Sequence, residues 1–225
     1  MDAKKLVAEK AVESITDGMI VGLGTGSTAF WAIQKIGERV KSGLTIGAVA
    51  TSQQSEKLAR EVGIPILSFE QVPRIDVAID GADEIDRKGN LIKGGGGALL
   101  REKIIASNSK KFIVIADSSK AVDTLGKFLL PVEIFPFASE LTLRRLRAIA
   151  KEVKLRQSNA KPFITDNGNL IADCNFFPIE EPQSLDLQLK GIAGVAETGL
   201  FLYSMVSTII IGSTNGELKI VEPQK

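Results

Sequence analysis

Two acids three residues apart in a glycine-containing turn, Asp80 and Asp83 of DGADE, stand shortly ahead of Lys93 and four consecutive glycines, Gly94 to Gly97. Carboxylates that close raise each other's proton affinity unless a cation intervenes, and Lys93 is at hand, so the group suits acid and base work. Four glycines in a row cost more conformational entropy than any other tetrapeptide, and they mark a backbone that bends sharply or lets something approach closely. The apolar stretch from Ala98 to Ile105 has helical spacing and points its free amides back at Gly94, Gly95 and Gly96, so a small anion is the natural occupant. Glu102 falls in the first turns of that helix, where an acid also serves simply by facing the helix dipole. Asp80 and Asp83 likewise have plain structural uses, ending a strand and capping a turn, while Glu84 and Asp86 read as solvated surface charges. Arg101 and Lys103 face other sides of the helix and read as structural or surface groups.

A second glycine string, GLGTGST, covers residues 22–28. Its spacing is GxGxG rather than GxGxxG, and it lacks the lysine of a Walker A loop. The next strand ends in Thr51, where a dinucleotide site wants an acid for the ribose, so NAD is disfavoured. A lone phosphate fits better, bound by backbone amides around Thr25, Gly26, Ser27 and Thr28, by the three hydroxyls, and by the N-terminus of the following helix. The competing reading is an ordinary turn with a serine N-cap.

Composition narrows the chemistry further. The 225 residues are 44% hydrophobic, enough for a sizeable core in one large or two small domains. With 28 basic and 27 acidic side chains the net charge is +1, which gives no electrostatic reason to expect nucleic acid or a membrane surface as partner. No apolar run approaches the ~20 residues of a membrane span, and the N-terminal MDAKKLVAEK lacks a signal peptide's apolar stretch, so a cytoplasmic protein is expected. The single cysteine, Cys174, reads as an inert buried thiol. There is no histidine, so proton transfer near neutral pH falls to carboxylates, lysines or the lone tyrosine, Tyr203, and no metal ligand set is apparent.

The elements that must position these residues alternate between helix and strand. A helix over residues 2–16 precedes the strand MIVGLG, and LTIGAVA, IPIL, IDVAID and KFIVIAD read as further short buried strands with helical segments between them. That alternation predicts a Rossmann-like α/β domain, a parallel sheet with helices on both faces, over residues 1–130 and 206–225. The polar segments GTGST, TSQQ, DGADE and DSSK all follow strands, where ligands of such sheets bind. Residues 131–205 read as a smaller α+β domain with a long helix over SELTLRRLRAIAKEV, a hairpin turning at Asn167-Gly168 in type I′ geometry, and a helix over PQSLDLQLK. A last hairpin around Asn215-Gly216 rejoins the first sheet.

GLGTGST, DGADEID, KGGGGALLREKI and IADSSK, in this order and spacing, closely resemble ribose-5-phosphate isomerase of the A type, and the resemblance extends into TDNGN and GVAETGLF. It implies cofactor-independent interconversion of ribose 5-phosphate and ribulose 5-phosphate through a cis-enediolate. On this resemblance Glu102 is the base that moves a proton between C2 and C1, and Asp80 assists ring opening. Asp83 and Lys93 hold the hydroxyl and carbonyl oxygens, and lysine and nearby amides stabilise the enediolate. Thr25, Ser27 and Thr28 hold the phosphate with Lys120 and Lys4, although Lys5 is equally placed from sequence alone. A ferredoxin-like second domain and a homodimer or homotetramer are also implied. Two other readings stand beside it: acyl transfer with Glu102 as nucleophile, and a sugar-phosphate sensor without turnover.

Overall fold

The computed structural model describes residues 2–223. Along the chain α1 (Ala3–Val12) is followed by β1 (Ile20–Leu23), α2 (Ser27–Lys41), β2 (Gly47–Ala50), α3 (Gln53–Glu61), β3 (Ile75–Gly81), β4 (Glu84–Ile85) and β5 (Leu91–Ile92). Then come α4 (Leu99–Ser107), β6 (Ser109–Asp117), β7 (Leu130–Ile134), α5 (Ser139–Arg147), β8 (Glu152–Leu155), β9 (Gln157–Ser158) and β10 (Lys161–Pro162). The chain closes with β11 (Leu170–Asn175), α6 (Pro182–Lys190), β12 (Val195–Thr198), β13 (Leu200–Phe201), β14 (Thr208–Gly212) and β15 (Leu218–Val221). The described residues divide into two compact units, one made of residues up to 82, 101–120 and from 203 onward, the other of 83–100 and 121–202.

The first unit is built on one sheet in the order β15-β14-β6-β3-β1-β2, parallel throughout except for β15, which returns antiparallel to β14. Side chains alternate across a strand. Val21, Leu23, Val77, Ile79, Ile113, Ile115 and Ile210 therefore share one face, where they join Val7 and Ala11 of α1 and Ile33 and Ile36 of α2 in a buried cluster. On the other face Ile105 of α4 closes on Gly22 and Ala78. Helices thus cover both faces, as the α/β alternation predicts. IPIL is not a full strand: it meets the sheet edge only through a single bridge, Ala48 to Ile66.

The second unit carries the succession β7-α5-β8-β11-α6-β12, with its four antiparallel strands in the order β12-β7-β11-β8, a ferredoxin-like topology. The sequence places residues 83–100 and 121–130 with the first domain. They belong to the second unit because β5 pairs with β13 and with β4, and Ile85 bridges Ala121. The long helix predicted from Ser139 stops at Arg147, and Glu152–Leu155 instead pairs as β8 with β11. The turn before β11 has only Gly168 at positive φ (78°), with Gly168 N–H bonded to Thr165 C=O at 2.9 Å, so it is not type I′. The two residues that do take positive φ together are Asn159 (51°) and Ala160 (59°), between β9 and β10. Cys174 is buried on β11, and burial pushes its thiol up to about 12. Among the described residues no helix is long and apolar enough to cross a membrane.

Candidate active site

In the first unit the chain reverses its winding between β1 and β3: β2 lies outside β1, whereas β6 follows β3. Loops leaving the strands at such a point flank the ligand crevice of open α/β sheets. Here Thr25 and Gly26 follow β1, Ser27 and Thr28 open α2, and Asp80 lies at the C-terminal end of β3. Asp80 is 2% exposed, and its Oδ1 accepts the N–H groups of Thr25 (3.0 Å) and Gly81 (2.7 Å). Gly24 allows this approach, since a Cβ there would lie 2.2 Å from the same oxygen. The Asp80 carboxylate and the glycine string are therefore one assembly.

Thr25 is held by the protein at both its amide and its hydroxyl. Its amide is engaged by Asp80, and its hydroxyl lies among Thr51 (2.6 Å), Ser52 (2.8 Å) and Ser55 (3.2 Å), with Ser55 in turn donating to Gly24 C=O at 2.7 Å. Thr25 thus anchors the loop to the turn after β2. The residue capping α2 is Gly26, not a serine, and no side chain caps the helix. The N-terminal amides of α2 therefore have no side-chain cap and lie beside Ser27 and Thr28, the first residues of the helix.

Lys4 and Lys5 point to different neighbours. Lys4 Nζ donates to Ser27 Oγ at 3.0 Å, while Lys5, rotated about 100° further around α1, lies 5.7 Å from the centre of the Trp31 ring. Lys120 sits in the turn Ser118–Lys120 that follows β6. Burial raises the proton affinity of Asp117, but hydrogen bonds from the Ser119 hydroxyl and amide and the charges of Lys120 and Lys4 together hold its carboxyl below the usual carboxylate range. Glu102, in the first turn of α4, is 5% exposed, and its Oε2 is shut off from solvent.

The second unit holds Asp83, Lys93 and the glycines. Asp83 N–H donates to Ile92 C=O (2.8 Å) and its Oδ2 accepts Gly95 N–H (2.8 Å), which fastens the carboxylate to the loop. Lys93 is 2% exposed, with Nζ 5.5 Å from the centre of the Phe201 ring. Three of the four glycines answer two demands: Gly94 and Gly97 take φ of +101° and +81°, and a Cβ at Gly95 would lie 2.6 Å from Asp83 Oδ1. Glu84 is not a surface charge. It is 4% exposed and accepts the N–H groups of Gly126 and Phe128, both at 2.7 Å, which makes it a structural acid. Among the described residues no three His, Cys, Asp or Glu side chains cluster as a metal site.

Comparison with known proteins decides what kind of site this is. The family model for ribose 5-phosphate isomerase A (phosphoriboisomerase A) matches residues 47–216. The chain belongs to the ribose 5-phosphate isomerase A family. Among curated members, ribose-5-phosphate isomerase A of Bacillus mycoides (strain KBAB4) is 52% identical over 96% of this chain and 98% of its own length. That of Sphingopyxis alaskensis is 50% identical over 92% and 91%. Among solved structures, a D-ribose-5-phosphate isomerase in complex with phospho-erythronic acid superposes with a TM-score of 0.94 at 42% identity, covering 98% of both chains. The Plasmodium falciparum isomerase gives 0.94 at 38% identity over 99% of both. The family resemblance carried by the glycine strings is thus matched by the fold. The hydroxyl cluster of Thr51, Ser52 and Ser55 was not foreseen from the sequence, where TSQQ signalled only a polar loop at a strand end.

Proposed function

We propose that this chain interconverts D-ribose 5-phosphate and D-ribulose 5-phosphate by proton transfer through an enediolate, without metal or nucleotide cofactor. Glu102 removes the proton from C2 of the open-chain aldose. The electron pair passes into the C1–C2 bond and charge develops on O1, where the Lys93 ammonium and the amides of Gly94, Gly95 and Gly96 stabilise it. Return of the proton to C1, with transfer of the O2 proton to O1, gives the ketose. Asp80 assists ring opening, and Asp83 orients the reacting hydroxyls. The phosphate is held by the amides at the start of α2, by Ser27 and Thr28, and by Lys4 and Lys120, with Thr25 anchoring the loop.

The observation that carries this reading is the enclosure of Glu102, 5% exposed, in a family member with no histidine to serve as base. Chain connectivity supports a common substrate: Asp83 follows Asp80 by three positions, a reach of at most ~11 Å. The reading also takes the protein to be cytoplasmic and a homo-oligomer acting on a small phosphorylated pentose, with neither nucleic acid nor membrane as partner. Incubating the purified protein with ribose 5-phosphate and a chelator in deuterium oxide tests it. Ribulose 5-phosphate carrying solvent deuterium at C1 is the expected product. A folded sample that forms none, or a covalent adduct trapped on Glu102, would instead favour binding without turnover or acyl transfer.

A further inference from the structure

The glycine loop is held by a side chain to which the isomerase reading gives no task. Arg156 follows β8, and its backbone is fixed on both sides: its N–H donates to Ile171 C=O (2.8 Å) and its C=O accepts from Phe163 N–H (2.9 Å). Its guanidinium donates through Nε (2.9 Å) and Nη2 to the two carboxylate oxygens of Asp173 on β11. The remaining nitrogen, Nη1, donates to the carbonyls of Gly94 (2.8 Å) and Gly95 (3.1 Å). The guanidinium carbon lies 6.0 Å from the centre of the Phe163 ring. That ring presses on Gly97, where a Cβ would come within 2.4 Å of it.

Asp83 also grips the loop: its Oδ2 accepts Gly95 N–H at 2.8 Å. The Gly94 carbonyl and the Gly95 N–H belong to one planar peptide group. A single rigid plane is therefore gripped at its oxygen by Arg156 and at its N–H by Asp83. A cation on the carbonyl polarises the peptide and strengthens the N–H bond to the carboxylate. Arginine suits the position because its fork binds Asp173 bidentately and still leaves a donor aimed at the loop, which a lysine cannot do. The Arg156 and Asp173 side chains are only 14% and 18% exposed, so solvent does not readily replace either.

We propose that Arg156, held by Asp173, is a positioning residue for the isomerisation: through the Gly94–Gly95 peptide it sets the direction of the Asp83 carboxylate and of the loop amides. The inference rests on Asp83 acting on the substrate, as read above. Steady-state kinetics of Arg156→Met, Arg156→Lys, Asp83→Asn and the Asp83→Asn/Arg156→Met double variant test it, with thermal melts to confirm folding. Arg156→Met lowers kcat by about 10- to 100-fold, the scale of a misplaced group, while KM stays within about threefold because the phosphate seat is built from other residues. Arg156→Lys recovers only part of that loss. The double variant is no more than about threefold slower than Asp83→Asn, since removing the positioning residue costs little once its target is gone.

Losses that multiply in the double variant, or a raised KM with unchanged kcat, overturn the inference while leaving the role of Asp83 intact. Near-normal turnover of Asp83→Asn overturns both. If Arg156→Met does not fold, Arg156→Lys and Asp173→Asn carry the same comparison, and wild-type kcat in both is equally fatal.

Discussion

At the scale of single residues, adjacent lysines on one helix have different fates. Lys4 reaches Ser27 at the start of α2, and Lys5 lies over Trp31. A hydrogen bond to a charged group contributes about 1.5–3 kcal/mol, so Lys4→Ala should raise KM for ribose 5-phosphate by roughly tenfold or more, and Lys5→Ala by less than about twofold. Initial-rate measurements on the two variants check this, and equal effects would contradict the assignment. Asp117 gives a pH signature. Its folded-state proton affinity is depressed relative to the ordinary value of 3.8, so the stabilisation is fully present above that value and is lost as the pH falls below it. Urea midpoints of the wild type and Asp117→Asn should differ at pH 6 and converge as the pH drops below 3.8.

At the scale of elements, the loops matter more than the helices and strands that carry them. The β1–α2 loop can lie on the Asp80 carboxylate only because residue 24 has no side chain, with a Cβ there meeting Asp80 Cα at 2.7 Å as well as the carboxylate. Gly24→Ala should therefore destabilise the protein by about 1–3 kcal/mol, the cost of overpacking, and lower turnover as the loop is displaced. A thermal melt and an activity assay would show both, and a variant indistinguishable from wild type would contradict the packing. Strand and helix order was legible in the sequence because short buried strands alternate with helices at a period that few other arrangements produce. The helical period of SELTLRRLRAIAKEV runs past Arg147 to Val153, while pairing with β11, a long-range interaction, recruits Glu152 and Val153 into the sheet. The Asn-Gly turn type was misread for a related reason: the turn is fixed by Thr165, whose carbonyl accepts Gly168 N–H, rather than by the dipeptide alone.

At the scale of the whole molecule, the candidate site was legible where its residues sit in contiguous strings and illegible where it depends on distant pairing. GLGTGST, DGADE and KGGGG announce themselves, whereas Arg156 lies 62 residues from Gly94 and nothing around it in the sequence marks it. The strand order that places the winding reversal between β1 and β3 is likewise a property of the fold alone. Phe137 (91% exposed), Leu141 (60%) and Phe135 (49%) stand open on the second unit, which suits assembly of several copies. Light scattering after size exclusion should give a mass at least twice 24.1 kDa, and a monomer would contradict the homo-oligomer. The central claim is that the carboxylate of Glu102 carries the proton between C2 and C1. Turnover of ribose 5-phosphate by Glu102→Gln, with substrate affinity measured alongside, tests it most directly. A fall of about 10²–10⁴-fold with binding within about threefold is predicted, and turnover close to that of the wild type would contradict the account.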